Sequence, residues 1–148
     1  MRLKVKRLNE DARLPTKKYE FDAGVDLYSC EDVYIPPFRA VAVSTGIAVH
    51  VPPYHYGSIR EKGRGFGIHS IVVGAGVLDE GYTGELKVLL KNASPEHYMV
   101  CKGDAIAQLV IQSYQEIKEI VEVDELPKKD SEREESGGIH NIQNYLVP

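Results

Sequence analysis

The chain lacks the features that mark several common functional classes. It has no excess of positive charge, because 18 lysines and arginines stand against 22 aspartates and glutamates, for a formal net charge of −4. Its apolar runs fall far short of the ~20 residues that a membrane-spanning helix needs, and residues 1–15 hold no apolar segment of a secretory signal. We therefore expect no nucleic-acid partner, no membrane association and a cytoplasmic location, with a nuclear or viral origin left open.

Cysteines and metal-binding patterns are also scarce. Cys30 and Cys101 are the only cysteines; both lie in strand-like sequence without a CxxC motif, so we expect two buried free thiols in a reducing compartment. The five histidines show no ligand spacing, which predicts no metal site made wholly of protein ligands. The GxxxxGK[ST] motif of a P-loop is missing as well.

What the sequence does contain is a series of short β-branched and apolar runs separated by glycine, proline and serine, which is typical of strands. Alternation is clearest in residues 40–51. The length fits one domain, and short strands with frequent turns predict an all-β, mostly antiparallel sandwich or barrel. The predicted strand runs are RLKVKRL, VDLYSCEDVYI, AVAVSTGIAVHV, HSIVVGAGVL, ELKVLLKNAS, IAQLVIQSY and QEIKEIVEVDEL; turns are expected at Pro36-Pro37, Pro52-Pro53, Gly63 to Gly67 and Ser94-Pro95.

The composition changes near Pro127. Residues 1–126 are predicted to form the β-domain, and residues 127–148 are charged, contain glycine and have almost no core residues. This second segment is either a solvated tail or an arm that orders over a ligand or a neighbouring subunit.

Asp79 is the most unusual residue of the chain. It lies in GVLDEGYTGEL, residues 76–86, directly after the apolar pair Val77-Leu78. An aspartate there can form a turn through its side chain. However, the nearby glycines already provide the turn, and a partly desolvated carboxylate can act as a base toward a bound water. Tyr82 is either a core residue or an aromatic face for a flat ligand.

Two further stretches contain polar groups suited to a ligand. In residues 59–69, Arg60, Lys62 and Arg64 alternate with glycines such as Gly63, so cations and exposed backbone N–H groups form a plausible polyphosphate cradle. In the strand IAQLVI, Gln108 is polar; because a buried amide needs partners, it either bonds neighbouring backbone or points at a ligand.

The order of these pieces resembles the five-motif layout of the trimeric deoxyuridine triphosphate nucleotidohydrolases (dUTPases). The similarity extends from about Ala23 to Gly138, and motif three is the most specific match. The matching stretches, in order, are DAGVDLYS, VSTGIAVHVP with the Arg/Gly loop after it, GVLDEGYTGEL, GDAIAQLV and the glycine-containing tail with Arg133.

The resemblance implies a jelly-roll-like β-barrel that assembles as a homotrimer with shared active sites and hydrolyses dUTP to dUMP and pyrophosphate with Mg²⁺. It implies that Asp79 activates the water that attacks the α-phosphorus, and that Asp26 supports the catalytic centre and its metal, which the triphosphate and waters hold. Tyr82 would lie under the deoxyribose. The other predicted contacts are Gly76, Val77, Leu78, Gly84 and Ile139 for base and sugar, and Arg60, Lys62, Gly63, Arg64, Gln108 and Arg133 for phosphates.

Motifs two and five depart from the family pattern. Where the family has Arg-Ser, Arg60 is followed by Glu61, whose carboxylate would repel phosphates unless it points away or pairs with a nearby cation. In motif five, Ile139 stands where the family has an aromatic residue that stacks on uracil, with His140 beside it. Two alternatives stay open. One is a related enzyme of the same fold, either a diphosphatase for another deoxynucleotide or a dCTP deaminase-like enzyme, and the other is a non-catalytic nucleotide-binding or regulatory protein.

Overall fold

The computed structural model describes residues 1–63 and 69–127. The chain divides into two units, the first being Met1–Glu116 and the second beginning at Ile117. All strands of the described residues lie in the first unit. They are β1 (Lys4–Arg7), β2 (Gly24–Tyr28), β3 (Val33–Ile35), β4 (Ala40–Ser44), β5 (Ile47–His50), β6 (His55–Arg60), β7 (Ile71–Gly74), β8 (Val77–Leu78), β9 (Lys87–Asn92), β10 (Tyr98–Val100) and β11 (Ala105–Ser113).

The strands form four small antiparallel sheets. The largest has the order β2-β11-β6-β8, a second has the order β4-β9-β7, and two-stranded ribbons join β1 with β5 and β3 with β10. Every strand pair is antiparallel. The predicted all-β, antiparallel architecture is therefore confirmed. No helix among the described residues is long and apolar enough to cross a membrane.

Alternating side chains build one apolar core between the sheets. In β9, Val88, Leu90 and Asn92 are buried, whereas the residues between them are more exposed, as expected for a strand with one face toward the core. Burial of these apolar side chains is the main favourable term in folding. The largest fully buried apolar side chains are Leu27, Ile35, Ile47, Leu86, Leu90, Leu109, Val43, Val51, Val88 and Val100.

Both proline pairs form the predicted turns. Arg39 N donates to Pro36 O (3.2 Å) and His55 N donates to Pro52 O (3.2 Å). In each turn an aromatic residue takes a left-handed conformation, with φ of 59° at Phe38 and at Tyr54. Such angles are uncommon for non-glycine residues. The left-handed aromatic residue is therefore a defining part of each turn, in addition to the proline pair.

Two sequence predictions are wrong. The sequence predicts a strand at residues 115–126, but residues 115–123 are neither helix nor strand, and Ile117, Ile120 and Val121 are exposed. Alternation predicts a strand only where a neighbouring strand is available to complete its hydrogen bonds. Cys30 is a buried free thiol as expected, whereas Cys101 is an exposed one.

Candidate active site

The segment Gly76–Leu86, here the Asp79 segment, is held against β6. Its short strand β8 pairs with β6 through Gly57↔Leu78 and Ser58↔Val77. Gly76 O accepts a hydrogen bond from Ile59 N (2.7 Å). A Cβ on Gly76 would lie 2.9 Å from Ile59 O, so the close approach of the two backbones requires glycine at this position.

The Asp79 segment contains three carboxylates, and two of them have structural partners. Glu80 Oε2 accepts a hydrogen bond from Tyr54 N (2.8 Å), and Glu85 Oε1 accepts one from Gly46 N (3.0 Å). Asp79 forms the turn through its backbone, since Tyr82 N donates to Asp79 O (3.1 Å). Among the described residues no donor bonds its carboxylate, so the side chain of Asp79 is not needed to hold the turn.

Asp79 and Tyr82 line the same cavity, which has a volume of about 280 Å³. We call it the Asp79 cavity. Its apolar wall includes the buried residues Leu78 and Leu86. Tyr82 is 46% exposed, and its hydroxyl donates to Glu85 O (2.8 Å). The cavity therefore combines an unengaged carboxylate, an anchored aromatic ring and an apolar wall, which suits a flat ligand with a polar end.

Gly84 sets the position of the Tyr82 ring. A Cβ on Gly84 would lie 2.7 Å from the Tyr82 hydroxyl oxygen and 2.9 Å from Cζ. The ring thus occupies the space that a side chain at position 84 would need. Glycine at position 84 therefore leaves room for the aromatic ring of Tyr82.

The outer edge of β8 is a second feature of this region. β8 is the last strand in the order β2-β11-β6-β8, so within the described residues no strand covers its other side. Edge strands present backbone N–H and C=O groups that can pair with a partner. The backbone of Val77 and Leu78 can therefore offer hydrogen-bond groups to a ligand.

A second cavity, of about 530 Å³, lies on another side of Asp79 and includes Glu80 and Tyr114. Desolvation and the negative charges of Glu80, Glu116 and Asp79 raise the pKa of the Tyr114 hydroxyl. Tyr114 is therefore a neutral hydrogen-bonding group near neutral pH. Its hydroxyl adds no negative charge beside Asp79.

Three other predicted site residues form one row across the largest sheet. Gln108 on β11 lies opposite Asp26 on β2 and, on its other side, opposite Arg60 on β6. Directly opposed residues share a face, with Cβ atoms about 4.5–5.5 Å apart. We call Asp26, Gln108 and Arg60 the polar row. Motifs that are far apart in sequence are thus brought together by strand register.

The side chain of Gln108 bonds to the chain backbone. Its Nε2 donates to Glu61 O (3.0 Å), which is one of the two alternatives that the sequence left open. Glu61 Oε1 accepts a hydrogen bond from Val73 N (3.4 Å). The carboxylate of Glu61 is therefore directed to β7, away from the polar row, and its expected repulsion of phosphates is reduced.

Lys62 forms an ion pair with Asp26, between Nζ and Oδ1. The side chains of Lys62 and Asp26 are 30% and 22% exposed. Arg60 is exposed and donates from Nε to Ser58 Oγ (2.8 Å). Arg60 of the polar row and the adjoining Lys62 therefore place two cations beside one carboxylate, Asp26, which is a favourable balance for a polyanion.

The Asp79 cavity and the polar row are separate regions. The described residues that line the Asp79 cavity do not include Asp26, Gln108 or Arg60. Gly63 is exposed, and nothing lies within 4 Å of a Cβ placed on it. Arg64, Arg133 and Ile139, which the sequence also predicts as site residues, lie outside the described residues.

Two residues near the polar row were not predicted from the sequence. Ser58 is buried and fixes the guanidinium of Arg60; its spacing of two residues from Arg60 in a strand is the signal that could have found it. Gly24 lies one residue before the predicted strand run VDLYSCEDVYI, but it begins β2. A Cβ there would lie 2.8 Å from Gln108 Oε1, so Gly24 makes room for the amide.

Comparison with known proteins identifies the family. The family model described as dUTPase matches residues 10–139. The chain is 42% identical over 141 residues to a deoxyuridine 5'-triphosphate nucleotidohydrolase of Clostridium kluyveri, covering 93% of this chain and 95% of that protein. It is 41% identical over 127 residues to the human mitochondrial protein of the same name, covering 84% of this chain and 50% of that one.

Solved structures agree with this result. A dUTPase mutant of Staphylococcus bacteriophage 80alpha with dUpNHpp has a TM-score of 0.83 at 28% identity, covering 95% of this chain and 98% of that one. A dUTPase mutant from phage phi11 of S. aureus, described with a structural Mg(II) ion, has a TM-score of 0.78 at 27% identity, covering 84% and 98%. The jelly-roll-like fold is confirmed, and the chain belongs to the dUTPase family.

Proposed function

We propose that this chain hydrolyses dUTP to dUMP and pyrophosphate, with Asp79 as the base that activates the attacking water. The observation that carries the proposal is the state of the three carboxylates in the Asp79 segment. Glu80 and Glu85 are bonded to backbone N–H groups, whereas Asp79 has no donor among the described residues and lines a cavity. A carboxylate without a structural partner is available to accept a proton from water.

Asp79 would take one proton as the water oxygen bonds to the α-phosphorus and the bond to the pyrophosphate oxygen breaks. The apolar wall of the Asp79 cavity supports this role, because the buried residues Leu78 and Leu86 offer no polar group that would compete for the water on their side of the cavity. Asp79 is exposed in the single chain, so the bound nucleotide and a neighbouring copy would have to exclude solvent and position the nucleophile. The expected products are dUMP and pyrophosphate.

Tyr82 and β8 would select the nucleoside. The ring of Tyr82 is held by its bond to Glu85 O and by contact with Gly84, so it is a rigid surface on which a deoxyribose can lie and a 2′-hydroxyl would collide. The open edge of β8 supports recognition of uracil by backbone groups of Gly76, Val77 and Leu78, because an edge strand presents donors and acceptors in fixed alternation.

The polar row would bind the triphosphate. Arg60 and Lys62 supply positive charge, and guanidinium groups form strong charge-assisted bonds with phosphate oxygens. Gly63 and Arg64 follow Lys62 directly in the sequence and are proposed to bind phosphate as well. Arg133 of the C-terminal arm is proposed to bind the terminal phosphate. Ile139 would cover the base where the family has an aromatic residue.

The residues present fit a magnesium ion that is held mainly by the nucleotide. Among the described residues, no group of three or more His, Cys, Asp or Glu side chains could hold a metal ion, whereas Mg²⁺ commonly binds through substrate phosphates, waters and one or two carboxylates. Asp26 is a partly exposed oxygen donor in the polar row and would hold the ion through water. When bound, Mg²⁺ offsets negative charge on the phosphate oxygens.

We infer a homotrimer in which the Asp79 cavity of one copy faces the polar row of another. The separation of the two regions in one chain supports this assembly, because neither alone contains both the base and the phosphate-binding cations. The phage dUTPase solved with dUpNHpp shows that a related protein binds a nucleotide analogue. The C-terminal arm would then close over a site that copies share.

The test is pyrophosphate release with Mg²⁺ across dUTP, dTTP, dCTP, dATP, dGTP and UTP. Turnover of dUTP at least 100-fold above the other nucleotides is the expected result. Preference for another base, or release of ammonia from dCTP, would contradict the proposed substrate. Binding of dUTP without pyrophosphate release would contradict the proposed catalysis.

A further inference from the structure

The ion pair between Lys62 and Asp26 is the feature of the polar row that the proposed function does not use. It joins the residue expected to support the metal with one of the cations expected to bind phosphate. Both side chains are partly buried. The following inference rests on the proposed function for the identity of the nucleotide, but its test uses readouts that do not depend on turnover.

Two hydrogen bonds direct Lys62 toward Asp26. Gln108 Nε2 holds the carbonyl of Glu61 (3.0 Å), and the carboxylate of Glu61 is held by Val73 N (3.4 Å). Residue 61 is therefore fixed through both its backbone and its side chain, and Lys62 follows directly. Because Gln108 is also the cross-strand partner of Asp26, the same amide brings the two charges together.

We propose that Lys62 neutralises Asp26 in the nucleotide-free protein and exchanges this carboxylate for a phosphate oxygen when the nucleotide binds. The exchange is physically reasonable because a partly exposed ion pair is weak and screened by solvent. A lysine ammonium lies on a flexible four-carbon stem with three donors. A triphosphate offers it several negative charges in place of one.

The exchange has a consequence for the carboxylate. While Lys62 is paired with Asp26, a free divalent cation must compete with a covalently tethered ammonium for the same oxygen. Departure of Lys62 to the phosphates releases Asp26 at the moment when the nucleotide brings its own cation. The pair therefore couples exposure of the carboxylate to arrival of the substrate.

The first measurement is Mn²⁺ binding to the nucleotide-free full chain, followed by electron paramagnetic resonance of free Mn²⁺. Lys62→Met should bind Mn²⁺ about tenfold more tightly than the unmodified chain. Lys62→Arg, which keeps the charge, should behave like the unmodified chain. Asp26→Asn placed in the Lys62→Met background should abolish the gain, because the gain depends on the released carboxylate.

The second measurement is binding of inorganic tripolyphosphate without divalent cations, by calorimetry. Lys62→Met should weaken this binding about tenfold, and Lys62→Arg should restore most of it. Both changes are expected together. The exchange would be overturned if Lys62→Met gained affinity for Mn²⁺ but kept its affinity for tripolyphosphate. It would also be overturned if the variant lost affinity for tripolyphosphate without gaining affinity for Mn²⁺, or if neither affinity changed. Lys62→Gln serves as a second neutral variant, and thermal unfolding shows that each variant tested is folded.

Failure of this inference is distinguishable from failure of the proposed function. If the unmodified chain does not release pyrophosphate from dUTP, the function is wrong, whereas the two binding experiments still test the exchange. If dUTP is hydrolysed and the Lys62 variants bind Mn²⁺ and tripolyphosphate as the unmodified chain does, only the exchange is wrong.

Discussion

Gln108 Oε1 lies 2.8 Å from the position that a Cβ on Gly24 would occupy. The absence of a side chain at Gly24 therefore allows the amide of Gln108 to reach Glu61 O. A residue at the start of one strand thus helps to position the segment after β6, which contains Lys62, one of the cations proposed to bind phosphate.

Gly24→Ala should weaken nucleotide binding with a modest loss of stability. The new methyl group would displace the end of the Gln108 side chain, and the hydrogen bond to Glu61 O would be lost, at a cost of about 1 kcal/mol. We expect KM for dUTP to rise several-fold while the fold is retained. Gly81→Ala is the matched control, because nothing lies within 4 Å of a Cβ at Gly81; equal kinetics for both variants would contradict the role of Gly24.

Asp79→Asn should abolish nearly all turnover and leave nucleotide affinity largely intact. The amide keeps the shape of the side chain but cannot accept a proton from water, and loss of a general base costs about 10²–10⁴ in rate. The measurements are kcat for dUTP and the Kd of a nonhydrolysable analogue.

Glu80→Gln is the matched control for Asp79→Asn, since it changes the adjacent carboxylate, whose oxygen already accepts a bond from Tyr54 N. Glutamine keeps an oxygen that can accept the same bond, so kcat should stay close to that of the unmodified chain. Substantial residual turnover in Asp79→Asn, or an equal loss in Glu80→Gln, would mean that the base lies elsewhere.

Tyr82→Ala should relax discrimination against UTP. Removal of the ring opens the space in which a 2′-hydroxyl would collide, so the ratio of kcat/KM for dUTP over UTP should fall by at least tenfold. Tyr82→Phe keeps the ring and loses only the bond to Glu85 O, so it should retain the discrimination. If Tyr82→Ala still rejects UTP as strongly, the sugar is selected by another group.

Co-expression of two inactive variants tests whether copies share active sites. Asp79→Asn leaves the polar row intact, and Asp26→Asn leaves the Asp79 cavity intact. If the two regions meet between copies, mixed oligomers contain some sites in which both are unaltered, and dUTP turnover returns. Each variant expressed alone is the control. Mixed oligomers, isolated by two different affinity tags, that remain as inactive as the single variants would show that each chain forms its own site.

The sequence predicts most of this fold because alternation and turn residues agree in most strands. It misses β10 and β6, and in β6 Gly57 and Ser58 interrupt the apolar pattern. Gly57 is required there because a Cβ would lie 2.8 Å from Leu109 Cδ1 and 3.0 Å from Leu78 Cβ. β6 is a strand because it has neighbours on both sides, and tertiary pairing of this kind outweighs local propensity.

For the candidate site, the sequence indicates which residues to consider but not how they are arranged. Asp79, Tyr82, Asp26 and Gln108 follow from the motifs and their resemblance to a family. The ion pair of Lys62 with Asp26 does not, since the two are 36 positions apart in sequence and meet only through the register of β11. Strand register depends on long-range pairing, which a single sequence does not reveal.

The central position of β11 has a consequence for how the enzyme uses binding energy. From Gln108 to Val110 this strand is paired with β2 on one side and β6 on the other. Amides bonded within such a strand exchange with solvent only through large opening events. If the polar row binds phosphate as proposed, recognition begins from a rigid strand. Little conformational entropy is then lost there on association, and preorganisation of this kind raises affinity.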